Sequence, residues 1–226
     1  MIKVAVSGAA GRMGSMVAET VQQTEGLDLV ALYDPERVGA TVDGMTVSGD
    51  PAVVATADVV VEFTNPTVVL ENLTQWRSLG VHTVVGTSGF DEARLAQVGQ
   101  AWGEGPPNCL IAPNFSIGAV MMMRLSEIAA PHFAAAEIIE LHHDRKADAP
   151  SGTALATARR IAAQMEQQRD VESVEMVAGA RGADVDTVPV HSVRLPGYVA
   201  HQEVVFGGMG ETLSIRHDTT DRQAFM

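Results

Sequence analysis

Cysteine is nearly absent from this sequence: Cys109 stands alone among 226 residues. No intrachain disulfide can form, and a reducing, cytoplasmic setting is expected. Cys109 lies inside an apolar strand pattern, so an enzyme built on a nucleophilic cysteine, such as a semialdehyde dehydrogenase, fits poorly. Basic residues are few. Fifteen Lys plus Arg stand against 28 Asp plus Glu, a formal net charge of −13. That balance argues against nucleic acid and anionic membranes as partners. An anionic small molecule can still bind where a few basic groups converge. No apolar run approaches the roughly 20 residues that cross a bilayer. The start, Met1-Ile2-Lys3-Val4, enters a strand pattern without the layout of a signal peptide. Gly-x-Ser-x-Gly, a Walker loop and a paired Cys/His nucleophile are all missing. His82, His132, His191, His201 and His217 show no metal-ligand spacing, so no metal is expected. Lysine is scarce too: Lys3 and Lys146 only, against 13 arginines.

What is present is an apolar fraction of 46%, enough for real cores, in a chain long enough for one large domain or two modest ones. Short apolar runs at Ile2–Ser7, Leu27–Tyr33, Ala57–Phe63, His82–Val85 and Cys109–Ala112 read as strands. Helical patterns alternate with them, to about Gln23, over Thr67–Leu79 and over Asp91–Trp102. The alternation predicts an α/β fold with a Rossmann-like, doubly wound parallel sheet over residues 1–115. An apolar helix, Ile117–Ala130, follows, with Met121-Met122-Met123 as core. Beyond it the pattern changes to strands in succession: Glu137–Leu141, Val171–Val177, Val188–Leu195, His201–Phe206 and Thr212–His217. One helix, about Ala154–Met165, and a polar loop, Gly179–Asp186, interrupt them. This reads as a second α+β domain with a mostly antiparallel or mixed sheet, and the boundary falls near Phe115–Ile117.

The first strand runs into Gly8-Ala9-Ala10-Gly11-Arg12-Met13-Gly14 and then a helix. Glycines let a backbone approach a pyrophosphate, whose charge then sits at the helix N-terminus. The spacing is Gly-x-x-Gly-x-x-Gly, so a tight turn without a ligand is the competing reading. Asp34 ends the second strand, 20 residues after Gly14. A carboxylate there accepts hydrogen bonds from a ribose and repels a 2′-phosphate, which favours NADH. Arg12 and Arg37 leave NADPH open.

The most concentrated chemistry lies between Glu140 and Ala154. It holds His142, His143 and Lys146 in a chain that uses arginine wherever it only needs charge. Lysine can give up a proton near neutral pH when its pKa is lowered, and arginine cannot. Adjacent histidines on a strand point to opposite faces, which suits two roles and not a shared metal. Pro150-Ser151-Gly152-Thr153 then opens a helix, whose free N–H groups and hydroxyls form a cradle for a carboxylate or phosphate.

The run Glu-x-His-His-x-x-Lys-x-Asp-Ala-Pro-Ser-Gly-Thr-Ala resembles the signature of the dihydrodipicolinate (4-hydroxy-tetrahydrodipicolinate) reductases of lysine and diaminopimelate biosynthesis, and the similarity extends along the whole chain. The resemblance implies NAD(P)H-dependent reduction of 4-hydroxy-tetrahydrodipicolinate to tetrahydrodipicolinate by a cytoplasmic homotetramer. It makes His142 a proton donor and acceptor and Lys146 a proton donor. It places His143, Ser151, Gly152 and Thr153 on a dicarboxylate substrate. Gly8, Ala9, Ala10, Gly11, Arg12 and Met13 become the cofactor loop, with Asp34 at the ribose. Phe63-Thr64, Gly86-Thr87-Ser88 and Ala112-Pro113-Asn114-Phe115 become further cofactor-contacting strand tips. Residues 116–217 become the substrate-binding and tetramerisation domain. Residues 218–226 begin a return to the dinucleotide domain whose family helix and last strand lie beyond Met226. The rival from another class is a dinucleotide-sensing regulator without turnover, which needs neither Lys146 nor the anion cradle.

Overall fold

The computed structural model describes residues 1–166, 168–169 and 171–226. The chain divides into two compact units, Met1–Ala112 with Met226, and Pro113–Phe225.

The first unit runs β1 (Ile2–Ser7), α1 (Arg12–Gln23), β2 (Leu27–Tyr33), the short β3 (Thr41–Val42) and β4 (Met45–Thr46), β5 (Val59–Glu62), α2 (Val69–Ser78), β6 (His82–Val85), α3 (Glu92–Trp102) and β7 (Cys109–Ile111). Five strands form a parallel sheet in the order β2-β1-β5-β6-β7, the doubly wound arrangement expected. Strands covered on both faces must be apolar throughout. Val4, Val6, Val60 and Val85 meet that demand and are buried. One face packs on Trp76, Leu73 and Trp102, the other on Val17, Ala18 and Val21 of α1. The chain leaves β1 for β2 on one side and returns as β5 on the other. In such sheets the crevice that takes ligands opens at this reversal, outside the carboxyl ends of the strands. The hairpin β3–β4 was not expected. It turns on Asp43-Gly44, with φ of 48° and 79°, the backbone that an Asp-Gly pair favours.

The second unit runs α4 (Ile117–Ala129), β8 (Ala135–His142), α5 (Gly152–Ala162), β9 (Ala183–Val185), β10 (Val188–Arg194), β11 (Ala200–Gly208) and β12 (Glu211–Thr219). The sheet order is β12-β11-β8-β10-β9, and only β8 and β10 are parallel neighbours. Every second residue of β8 (Ala136, Ile138, Glu140) is buried on the face that carries the helices. That face packs Ile138, Val190, Val204 and Phe206 against Met122, Met123, Ala158 and Ile161. Met122 and Met123 are core as expected, whereas Met121 is half-exposed.

One expected strand is absent. Val171–Val177 has no strand pairing, and Val171, Val174, Met176 and Val177 are exposed. The place beside β10 is taken by β9, from inside the expected polar loop. A two-residue turn at Asp186-Thr187, with φ of 50° and 80°, folds β9 straight back onto β10. A short turn makes this local pairing cheap in loop-closure entropy. No helix among the described residues is long and apolar enough to cross a membrane.

Candidate active site

In the first unit the turn from β1 into α1 is possible only with glycine at two places. Gly8 has φ +74°, and a Cβ there would lie 2.4 Å from the Phe63 carbonyl oxygen. A Cβ on Gly14 would fall 2.1 Å from the Gly8 carbonyl oxygen, so the first turn of α1 sits directly on the strand end. Among the described residues the N–H groups of Arg12 and Met13 meet no protein acceptor. Together with the positive end of the helix they are free for an anion. Asp34 reaches this turn. Its Oδ2 accepts from Ala10 N–H at 3.2 Å and its Oδ1 from Glu36 N–H at 3.1 Å, while Arg37 Nη1 donates to the Ala10 carbonyl oxygen at 3.1 Å. At the next tips, a Cβ on Gly86 would lie 2.1 Å from Phe63 Cζ, so the Phe63 ring lies against Gly86. Thr64 N–H donates to Thr87 Oγ1 at 2.9 Å. Ser88 is exposed, and Ala112 follows β7 with its N–H on the Val85 carbonyl oxygen at 3.1 Å. Gly8 to Met13, Asp34, Phe63, Thr64, Gly86 and Thr87 thus gather at one edge of this sheet. Pro113, Asn114 and Phe115 belong to the second unit.

In the second unit His142 ends β8, with its Nδ1 2.5 Å from Glu140 Oε2. Glu140 is fully buried. Arg194 grips it bidentately, Nη1 to Oε2 at 2.9 Å and Nη2 to Oε1 at 2.8 Å, and Ser151 N–H reaches Oε1 at 3.3 Å. The strand register makes this cluster, because β10 runs parallel to β8 with Arg194 opposite His142 and Ser192 opposite Glu140. Burial pushes the Glu140 carboxyl up, but hydrogen bonds from His142 and Arg194 outweigh it and bring it down to about 2. An ionised carboxylate only accepts, so Nδ1 of His142 carries the proton and Nε2 is left for a ligand.

Ser151 caps α5 through its hydroxyl, which accepts from Ala154 N–H at 3.2 Å. Among the described residues the N–H groups of Gly152 and Thr153 meet no protein acceptor, and Gly152 is exposed. Asn114 Nδ2 donates to Thr153 Oγ1 at 3.1 Å. Asn114, His142, Ser151, Thr153, His201 and His217 line one small cleft. His201 Nε2 accepts from Val199 N–H at 3.3 Å, so its Nδ1 donates to Asp218 Oδ1 at 2.7 Å. His217 Nε2 lies 3.2 Å from Ser116 Oγ, and burial lowers its pKa. His143 is turned to other neighbours. Its Nδ1 is buried without a partner among the described residues. Burial, then the charges of Arg222 and Arg145, lower its pKa, so it is a neutral ring near pH 7. Lys146 stands outside the cleft lining, its Nζ on Asp148 Oδ1 and Oδ2 at 2.7 and 2.8 Å. Burial raises the Asp148 carboxyl, and the Lys146 hydrogen bond and charge more than reverse this.

The sequence alone does not mark His201 and His217 as lining this cleft, nor Glu140 and Arg194 as the ion pair behind His142. Glu140 did carry a signal, since it shares a strand face with His142 two residues on. Arg194, His201 and His217 depend on strand register and carried none.

Residues 2–115 match the family model for the N-terminus of dihydrodipicolinate reductase, and residues 118–226 match the model for its C-terminus. The chain belongs to the dihydrodipicolinate reductase family. The N-terminal match spans the glycine turn and Asn114, and the C-terminal match spans His142, Ser151, Thr153, His201 and His217 of the cleft. A 4-hydroxy-tetrahydrodipicolinate reductase from Cutibacterium acnes is 49% identical over 231 residues, covering 100% of this chain and 89% of the relative. One from Thermobifida fusca is 50% identical over 232 residues, with 100% and 89% covered. Among solved structures, dipicolinate-bound dihydrodipicolinate reductase from Paenisporosarcina sp. TG-14 superposes with a TM-score of 0.80 at 39% identity, covering 100% of this chain and 90% of that one. As a member of this reductase family the chain is an oxidoreductase.

Proposed function

We propose that the chain reduces 4-hydroxy-tetrahydrodipicolinate to tetrahydrodipicolinate, with NADH favoured over NADPH, in the cytoplasmic synthesis of diaminopimelate and lysine. The observation that carries this is the cleft itself. A histidine aimed by a buried carboxylate stands beside an open helix N-terminus, in a chain of the reductase family. The cradle at Ser151, Gly152 and Thr153 fits one carboxylate of a dicarboxylate, and dipicolinate, the ligand of the solved relative, is a compound of that class.

The glycine turn fits a pyridine dinucleotide, because glycine at 8 and 14 lets the start of α1 pack directly on the strand end, and the N–H groups of Arg12 and Met13 supply the donors. That cofactor supplies the hydride. Overall the substrate takes up one hydride and one proton and loses one water. The chain's own residues hold the dicarboxylate and move the proton. Lys146, the sole lysine of the second unit, is assigned as proton donor to the reduced ring. His142 Nε2 gives or takes a proton at the substrate while Glu140 keeps the ring oriented. His143, neutral and without a partner at Nδ1 among the described residues, is assigned to a substrate carboxylate. The sensing-regulator reading is separated from this one by turnover, followed as loss of NADH absorbance.

Asp34 bears on cofactor choice. Wild type is expected to use NADH with higher kcat/KM than NADPH. Asp34→Ala should raise the KM for NADH about tenfold, the worth of a charge-assisted hydrogen bond, and narrow the preference. A strong preference of wild type for NADPH would contradict this role.

The assembly assigned is a homotetramer formed through the second unit. Helices cover one face of its sheet, while Ile139, Leu141 and Val205 on the other face stay part-exposed. A solution mass other than that of four chains would overturn the assignment.

A further inference from the structure

We propose that Glu62 is a positioning residue for the dinucleotide: it fixes the Thr64 hydroxyl as a hydrogen-bond acceptor toward the bound cofactor. This rests on Phe63-Thr64 being a cofactor-contacting tip.

Glu62 is the last residue of β5 and is fully buried. Every partner of its carboxylate among the described residues is an uncharged donor. Trp76 Nε1 donates at 2.8 Å, Asn72 Nδ2 lies 3.4 Å from both oxygens, and the Thr64 hydroxyl bonds Oε1. A buried carboxyl without a cation is costly unless its oxygens are saturated with donors, and here α2 and the strand tip provide them.

The directions of these bonds decide what the tip offers. The indole and amide groups can only donate here, and a carboxylate can only accept, so the Thr64 hydroxyl spends its proton on Glu62. The Thr64 N–H is spent on Thr87 Oγ1 at 2.9 Å. Thr87 in turn spends its hydroxyl proton on the Glu62 carbonyl oxygen at 3.3 Å. Thr64 therefore has no proton left to give, only lone pairs on its oxygens. A ligand group that meets it must be an N–H or O–H donor, of the kind a carboxamide or a ribose hydroxyl provides. Glu62 also holds the neighbouring tip through Gly86 N–H, which donates to the Glu62 carbonyl oxygen at 3.0 Å.

Glu62→Gln keeps the shape but exchanges one acceptor for a donor. The Gln amide then donates to the Thr64 hydroxyl and turns its proton outward. The test is a double-mutant cycle read by NADH binding, using protein fluorescence, with the KM for the dicarboxylate as control. Glu62→Gln and Thr64→Val should each raise the NADH Kd about tenfold. The double variant should be no weaker than either single one, and Thr64→Ser should restore most of what Thr64→Val loses. The dicarboxylate KM should move by less than about twofold in a folded variant. Additive losses, or an unchanged NADH Kd in Thr64→Val, overturn the proposal. If Glu62→Gln fails to fold, an unchanged NADH Kd in Thr64→Val still overturns the proposal. Wild type that binds no NADH refutes the proposed function itself, a result distinct from intact binding that ignores Thr64.

Discussion

Lys146→Arg is expected to lower kcat by roughly 10²–10⁴-fold, the usual worth of general acid–base catalysis. Arginine keeps the positive charge and adds donors, so binding of the dicarboxylate should largely survive. What it removes is a transferable proton, because the guanidinium does not titrate near neutral pH. Some rise in KM follows from the different shape of the planar fork. Lys146→Ala loses the charge as well, so it should raise KM further. The residue's present partner is Asp148, at 2.7 and 2.8 Å, which an arginine can also meet. A structural explanation for a lost kcat is therefore weak. Steady-state kinetics of the three proteins across several pH values makes the comparison. If Lys146→Arg keeps more than about a third of kcat, Lys146 acts only as a charge, and on the ~10²–10⁴-fold scale of proton transfer the donor must be His142 or water.

The second large effect is expected at Glu140, and it touches stability and catalysis together. Glu140→Gln leaves the part-exposed Arg194 facing a neutral, fully buried amide. Breaking a buried ion pair from one side typically costs about 3–5 kcal/mol, so the variant should melt at clearly lower temperature. It should also lose kcat by about 10²-fold, at the low end of the acid–base range, because the amide no longer dictates which nitrogen of His142 holds the proton. Wild-type stability should follow the same carboxyl. Its folded pKa, about 2, lies below its ordinary value of 4.5. The folded state therefore binds this proton less readily than the unfolded chain. The ion pair stabilises fully above about pH 4.5, and its contribution is lost as pH falls towards 2. Thermal melts of wild type and Glu140→Gln should differ most at neutral pH and converge at acid pH. A constant difference down to acid pH would mean that Glu140 contributes by packing, not by charge.

Much of this molecule could be read from its residues, for reasons that are physical and local. Alternation of apolar strands with helical periods already specifies a parallel sheet, and Gly8-Ala9-Ala10-Gly11 announced where its first helix would begin. Ser151-Gly152-Thr153 announced the open start of α5 in the same way, through capping chemistry confined to a few residues. Val171–Val177 misled, because β-forming residues make a strand only where a partner pairs with them, and the place beside β10 goes to β9 through the Asp186-Thr187 turn. The Arg194–Glu140 pair was invisible for a related reason. It joins positions 54 apart in sequence, through a parallel register that no local pattern encodes. The same holds for His201 and His217, which look like scattered surface histidines until β11 and β12 bring them beside His142. Glu62 is the opposite case. A charged residue closing the run Val59-Val60-Val61 is conspicuous, yet its meaning waits on Trp76 and Asn72, contributed by α2.

Turnover of a specific cyclic dicarboxylate separates a reductase from a mere dinucleotide binder. The direct measurement is absorbance at 340 nm for the purified protein with NADH, with and without 4-hydroxy-tetrahydrodipicolinate made freshly from pyruvate and aspartate semialdehyde. Absorbance should fall steadily only when the condensed substrate is present, and that rate should be lost in Lys146→Ala. NADH that binds but is never consumed, with fresh substrate at saturating concentration, would contradict the proposed function and leave a dinucleotide-binding protein without this chemistry.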